Sequence, residues 1–165
     1  YWQEGNLAVL GSVIRYSENL PDNFVANLLS VRTLLAPAYI RLAVQNHGGQ
    51  VAHFLEHYPD LPDTPEAFAA ADWQLHHHLS VLSDNPVFTL ILNGFCDFYQ
   101  DMARIYFRAH GARETSRDFY LQLLSAARRN DAEEAEAVTH RVMAASVDIW
   151  QSAFHNFEEI RPEVF

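Results

Sequence analysis

Asp72 and His76 stand four residues apart in a segment of helical periodicity, so a carboxylate and an imidazole share one face. Such a pair supplies two ligands for a divalent ion, or it closes a buried acid–imidazole hydrogen bond. Two protein ligands are too few for a tight zinc site. The run His76-His77-His78 does not enlarge the pair. Three successive helical residues fan over about 200° and cannot reach one centre. One of them is expected to face inward and the others solvent, where a protonated His77 could meet a phosphate. Arg32 lies in an apolar helical run, and a buried guanidinium needs a partner. An internal carboxylate and an anionic ligand both remain open. Ser146 and Trp150, again four apart, put a small hydroxyl beside a flat apolar wall with an N–H donor. By spacing alone that is a face of a core, or the wall of a pocket. Tyr106 has a polar tip among apolar neighbours and suits either role.

None of these groups assembles a reaction centre. There is no G-x-S-x-G, no cysteine–histidine pairing, no phosphate-binding glycine loop and no H-E-x-x-H. Glu133-Glu134 and Glu158-Glu159 read as caps or solvated faces. The one cysteine, Cys96, sits in an apolar helical run and reads as a buried small hydrophobe. A lone cysteine excludes an internal disulfide and suits a reducing, cytoplasmic setting. The expectation is a binding module, not an enzyme, with no cofactor.

The elements that must position these residues are helical throughout. Apolar residues recur at spacings of three, four and seven from Asp22 to Asn46, with a kink or break expected near Ala36 because of Pro37. Gly48-Gly49 ends this helix, and a short one follows from about Gln50 to His57. The proline- and aspartate-bearing stretch from Tyr58 to Asp63 is a loop. Thr64-Pro65-Glu66 opens a helix that runs to about Leu82. After the turn Ser83-Asp84-Asn85, Pro86 opens the most apolar helix, to about Ala109, which is therefore expected at the centre. Two more run from about Glu114 to Arg129 and from Asn130-Asp131 to about Phe157. The fold class is all-α, an antiparallel bundle of about six or seven helices with an internal ligand cavity.

The chain has 165 residues, 49% of them apolar and 13% aromatic, which fits one globular domain covering 1–165. Its net charge is −10 with only 11 lysines and arginines. A surface that grips DNA or an acidic membrane needs a basic patch, so this segment is not expected to do either itself. No signal peptide and no long apolar span is seen. The chain opens on Tyr1 rather than methionine and reads as a piece of a longer protein.

Three segments resemble the effector-binding domain of the GntR family of bacterial transcription regulators, in its FadR-like branch. Val31-Arg32-Thr33-Leu34-Leu35-Ala36-Pro37 resembles the family's V-R-x-x-L-E-P. Asp72-Trp73-Gln74-Leu75-His76-His77-His78-Leu79 followed by Asp84-Asn85-Pro86 resembles D-x-x-F-H-x-x-L and then S-G-N-P. Asp131-Ala132-Glu133-Glu134-Ala135 resembles the start of the family's last helix. Asn27-Leu28-Leu29-Ser30, Leu90-Ile91-Leu92-Asn93-Gly94, Tyr106-Phe107 and the Ser146–Trp150 pair bring the match closer to the branch that senses long-chain acyl-CoA.

The resemblance implies that acyl-CoA binds within the helical domain and releases DNA from an N-terminal winged-helix domain absent from this chain. It implies a homodimer in the full-length protein and a role in repressing or activating fatty acid metabolism genes. It places Ser146, Trp150, Tyr106, Arg32, Met143 and His77 as acyl-CoA-binding candidates, His77 toward the CoA phosphates. Many family members bind a metal through the equivalents of Asp72 and His76 plus two further histidines. Those two positions are Tyr120 and Val142 here, and His140 lies two residues off. Met143 stands where the branch has a glycine, so the length or pose of the acyl chain is expected to differ. Two alternatives stay open: a small carboxylate held by Arg32, with a metal at Asp72 and His76, and a helical interaction module with a vestigial pocket.

Overall fold

The computed structural model describes residues 24–153. They form α1 (Phe24–Leu55), a 3-10 turn (Tyr58–Asp60), α2 (Pro65–Leu82), α3 (Pro86–Tyr106), α4 (His110–Arg128) and α5 (Ala132–Ala153). The architecture is the all-α bundle expected, with no strand among the described residues. None of these helices is long and apolar enough to cross a membrane.

Local chemistry sets most helix starts. Thr64 accepts the Ala67 N–H at 3.2 Å, and Pro65 follows where no donor is needed. Asn85 accepts the Val87 N–H at 3.2 Å ahead of Pro86. Asp131 accepts the Glu134 N–H at 3.0 Å and opens α5. The turns before α3 and α5 pass through the left-handed region at Asp84 (φ 58°) and Asn130 (φ 54°), which short polar side chains tolerate. α3 ends at Tyr106 rather than Ala109, and α4 starts at His110 rather than Glu114. The expected continuation of α5 to Phe157 passes beyond the described residues.

Two expectations about α1 come out differently. Pro37 does not interrupt the helix; it is buried inside it. The break comes at His47 (φ −140°, ψ 37°), just before Gly48-Gly49. Contacts with α2 and the turn that follows it show that the chain reverses there. Arg32 meets Asp72, Tyr39 meets His76 and Asn46 meets Asp84, a rising series; after His47, Phe54 falls back to His78. Gly48 permits this turn because the chain passes hard against the α4–α5 connection. A Cβ there would lie 2.2 Å from Asn130 Oδ1 and 3.2 Å from the Ala127 carbonyl oxygen.

The apolar α3 is not the central helix. Among the described residues it packs extensively only on α2, and Val87 and Leu90 are 56% and 67% exposed. α1 takes the central place, against α5, α2 and α4. The α1–α5 and α2–α3 pairs run antiparallel: Arg32 meets Ser146 and Arg41 meets Glu136 across α1–α5, and Trp73 meets Tyr99 while Ser80 meets Thr89 across α2–α3. Cys96 on α3 is half-buried rather than fully buried.

Candidate functional site

The first turns of α1 and the middle of α3 do not close on each other. Between them lies a cavity of about 70 Å³. Phe24 against Phe98 bounds one end of this seam, with ring centroids 5.6 Å apart, and Tyr39 against Phe88 bounds the other, also at 5.6 Å. α1 supplies Leu28, Leu29 and Leu35, and α3 supplies Ile91, Leu92, Phe95 and Met102. Trp150 of α5 and Asp72 of α2 complete the lining. The walls are thus aliphatic and aromatic, with Arg32, Tyr39, Asp72, Tyr99 and Tyr106 as the polar exceptions.

Those polar groups form one connected chain. Arg32 Nη1 donates to the Tyr99 hydroxyl at 2.7 Å, and Tyr99 donates to Asp72 Oδ2. Arg32 also lies 3.6 Å from Asp72 Oδ2 and donates from Nη2 to Ser146 Oγ at 3.4 Å. Behind Asp72, His76 is fully buried, with its Nδ1 bonded to the Tyr39 hydroxyl at 2.7 Å. Burial alone would raise the Asp72 carboxyl, but His76, Arg32 and the Tyr99 hydroxyl outweigh it and hold the group at about 2. Burial pushes the hydroxyls of Tyr39 and Tyr99 above the usual phenol range and that of Tyr106 up to about 12, so all three stay neutral. The cavity lining therefore holds one guanidinium and one carboxylate, paired. Arg32 Nε has no hydrogen-bond partner among the described residues.

The structure brings Arg32, Tyr106, Trp150 and Asp72 to the cavity lining. Ser146 is buried one hydrogen bond behind it, through Arg32, and donates to the Met143 carbonyl at 2.6 Å. The Met143 side chain is buried outside the lining. His77 also lies off the lining, half-buried against Trp73, and His78 stacks on Phe54 with centroids 4.3 Å apart. Both flanking histidines thus lean on aromatic rings rather than pointing freely to solvent. Tyr120 and Val142 are both buried. Among the described residues no three histidine, cysteine, aspartate or glutamate side chains gather about one point that could hold a metal.

Sequence reasoning passed over Tyr39 and Tyr99, which carry the middle of the polar chain. A signal existed: Tyr39 is seven residues after Arg32, and Leu92, Tyr99 and Tyr106 are spaced by seven, so each set shares a face.

Residues 1–160 match the family model described as FadR C-terminal domain. The chain is 35% identical over 155 residues to the fatty acid metabolism regulator protein of Shewanella pealeana, covering 92% of this chain and 64% of that protein. The protein of that name from Shewanella denitrificans is 34% identical over 154 residues, covering 92% and 63%, and that from Shewanella oneidensis is 36% identical over 126 residues, covering 74% and 51%. The chain thus spans less than two thirds of the length of these relatives. An apolar cavity crossed by a buried polar chain, on a sequence that matches along nearly its whole length, leads to one assignment: the chain belongs to the FadR C-terminal domain family.

Proposed function

We propose that this chain is the ligand-sensing domain of a bacterial regulator of fatty acid metabolism and that its ligand is long-chain acyl-CoA. The observation that carries the choice of ligand is the pairing of Arg32 with Asp72 inside an apolar cavity. A small carboxylate would need an unpaired cation. Here the guanidinium is already neutralised, so a further buried anion would be uncompensated. An acyl chain brings no charge to this depth, and each methylene it buries contributes about 0.8 kcal/mol. The orphaned Arg32 Nε supplies one donor for a neutral acceptor such as a thioester carbonyl. The charged CoA moiety then stays at the mouth.

The open space is narrow for such a chain, so binding pushes α1 and α3 apart at their loosest contact. Arg32 ties that contact to Ser146 on α5, which offers a route by which one arrangement of helices is favoured over another. DNA binding belongs to a winged-helix unit outside these residues, in a cytoplasmic homodimer, and acyl-CoA weakens it.

Calorimetry with palmitoyl-CoA against small organic acids separates the readings. Heat of binding with palmitoyl-CoA and none with the acids is expected. Tight binding of an acid without acyl-CoA heat overturns the proposal, and no rise in melting temperature with any of them favours a vestigial pocket.

A further inference from the structure

The polar groups of the cavity are not spread evenly along it. Arg32 meets Tyr99 and Tyr39 meets Phe88, so the stretch between these two contacts is walled by Leu35 of α1 and by Ile91, Leu92 and Phe95 of α3, all apolar. In the other direction along α3 the lining includes Tyr106, with its hydroxyl. Arg32 and Tyr39 are seven residues apart, about 10 Å along the helix, a distance that a long acyl chain with its carbonyl at Arg32 covers. The two rings that stop this stretch are held differently. Tyr39 is 1% exposed, its hydroxyl is fixed by the 2.7 Å bond to His76 Nδ1, and its ring stands edge-on to His76 at 6.1 Å. Behind it α1 runs into the filled core at Ile40, Ala43 and Val44. Phe88 is half-buried, between the exposed Val87 and Leu90, and a phenylalanine has no polar tip by which to be pinned. Its ring leans edge-on against Tyr39, with centroids 5.6 Å apart.

We infer that Phe88 sets the longest acyl chain the cavity admits: the methyl end of the chain meets the Tyr39–Phe88 pair, with Tyr39 as the fixed wall and Phe88 as the ring whose size limits the length. This rests on the acyl-CoA reading proposed above and adds the direction in which the chain runs. The alkyl terminus goes to this end because its wall is carbon throughout. Toward the other end it would cover the Tyr106 hydroxyl and give it no partner in exchange for water. A chain too long for the space must displace Phe88 or leave methylenes in water, and one too short leaves a void against the pair. Length is therefore read at these two rings.

Calorimetry with decanoyl-CoA, palmitoyl-CoA and eicosanoyl-CoA tests this. Phe88→Ala enlarges the end of the cavity, so the ratio of eicosanoyl-CoA to palmitoyl-CoA affinity should rise about tenfold, the gain from about two further buried methylenes. Phe88→Trp fills the same space and should lower the ratio of palmitoyl-CoA to decanoyl-CoA affinity by a similar factor. Phe98→Ala, at the opposite end of the seam, should leave both ratios as they are in the unaltered chain. Ratios decide because a variant that merely loosens the bundle weakens all three thioesters alike. Should Phe88→Ala fail to fold, Phe88→Trp decides alone. An unmoved ratio in a folded Phe88 variant, or a shift produced by Phe98→Ala instead, overturns the role of Phe88 and leaves the acyl-CoA reading standing. An unaltered chain that binds none of the three thioesters removes that reading, and the length role with it.

Discussion

The two halves of α1 have similar composition and opposite surroundings. From residue 36 onward the helix is buried on Ala36, Pro37, Tyr39, Ile40, Ala43 and Val44, then again after the His47 reversal. Among the described residues before 36, Val25 alone is buried, although Leu28, Leu29, Leu34 and Leu35 are all apolar. Propensity does not separate them; neighbours do. The second half is enclosed by α2, α4 and α5, while the first half faces α3 across the cavity. Among the described residues, one end of the bundle is a filled core and the other borders the cavity. Low local packing density of this kind marks segments that open first and respond to ligands.

The strongest way to break that comparison is through the Arg32–Asp72 pair in the loose half. Arg32→Leu leaves Asp72 buried without its cation, and breaking such a pair typically costs about 3–5 kcal/mol. Urea unfolding should show a loss of that order, and a change below about 1 kcal/mol would mean that solvent already reaches the pair. The next largest effect contrasts the halves directly. Ile40 is fully buried, so Ile40→Ala should cost about 2–5 kcal/mol, whereas Leu28→Ala in the half-buried stretch should cost about 1 kcal/mol. Equal losses at the two positions would mean the cavity side is packed as well as the core.

Acid titrates the same contrast. The Asp72 carboxyl is at about 2 in the folded chain against 3.8 ordinarily. A depressed folded value stabilises above the unfolded pKa, and that stabilisation is lost as pH falls from about 4 toward 2. The amount is on the order of 2 kcal/mol. Urea midpoints measured across that window should fall for the unaltered chain, and the gap to Asp72→Asn should narrow with acid. A constant gap would mean that Asp72 is not held ionised by its neighbours.

What was legible in the sequence follows from how local each determinant is. Thr64-Pro65, Asn85-Pro86 and Asp131 announce helix starts because capping is settled within four residues. The glycines after His47 announced a stop for the same reason. Pro37 misled because a buried helix with neighbours on several sides tolerates a proline that an isolated one would not. α3 misled for a different reason. An all-round apolar helix reads as central, but a cavity wall needs apolar side chains too, and periodicity cannot tell a packed face from one left open. In the site, Arg32 stood out as a cation in an apolar helix, and resemblance weighted Tyr106 and Trp150 toward the pocket rather than the core. The pairing of Arg32 with Asp72 lies in no local pattern, since it joins residues on different helices that only tertiary packing brings together.

The smallest expected effect distinguishes lining from rim. Leu34 is 73% exposed and sits beside the lining residue Leu35 without lining the cavity itself. Leu34→Ser removes surface that is already wet, so stability should change by less than about 0.5 kcal/mol. Its effect on palmitoyl-CoA binding should be equally small. Leu28→Ala costs the unliganded chain about 1 kcal/mol, but Leu28 also faces the cavity, and losing its contacts with a bound acyl chain should weaken binding about tenfold, the equivalent of about 1.4 kcal/mol. The two variants thus diverge further with ligand than without it, which the increase in melting temperature on adding palmitoyl-CoA, taken for each variant from its own unliganded value, would read. If Leu34→Ser reduced that increase as much as Leu28→Ala, the acyl chain would lie along the outer face of α1, and the cavity end of the bundle would not be its container.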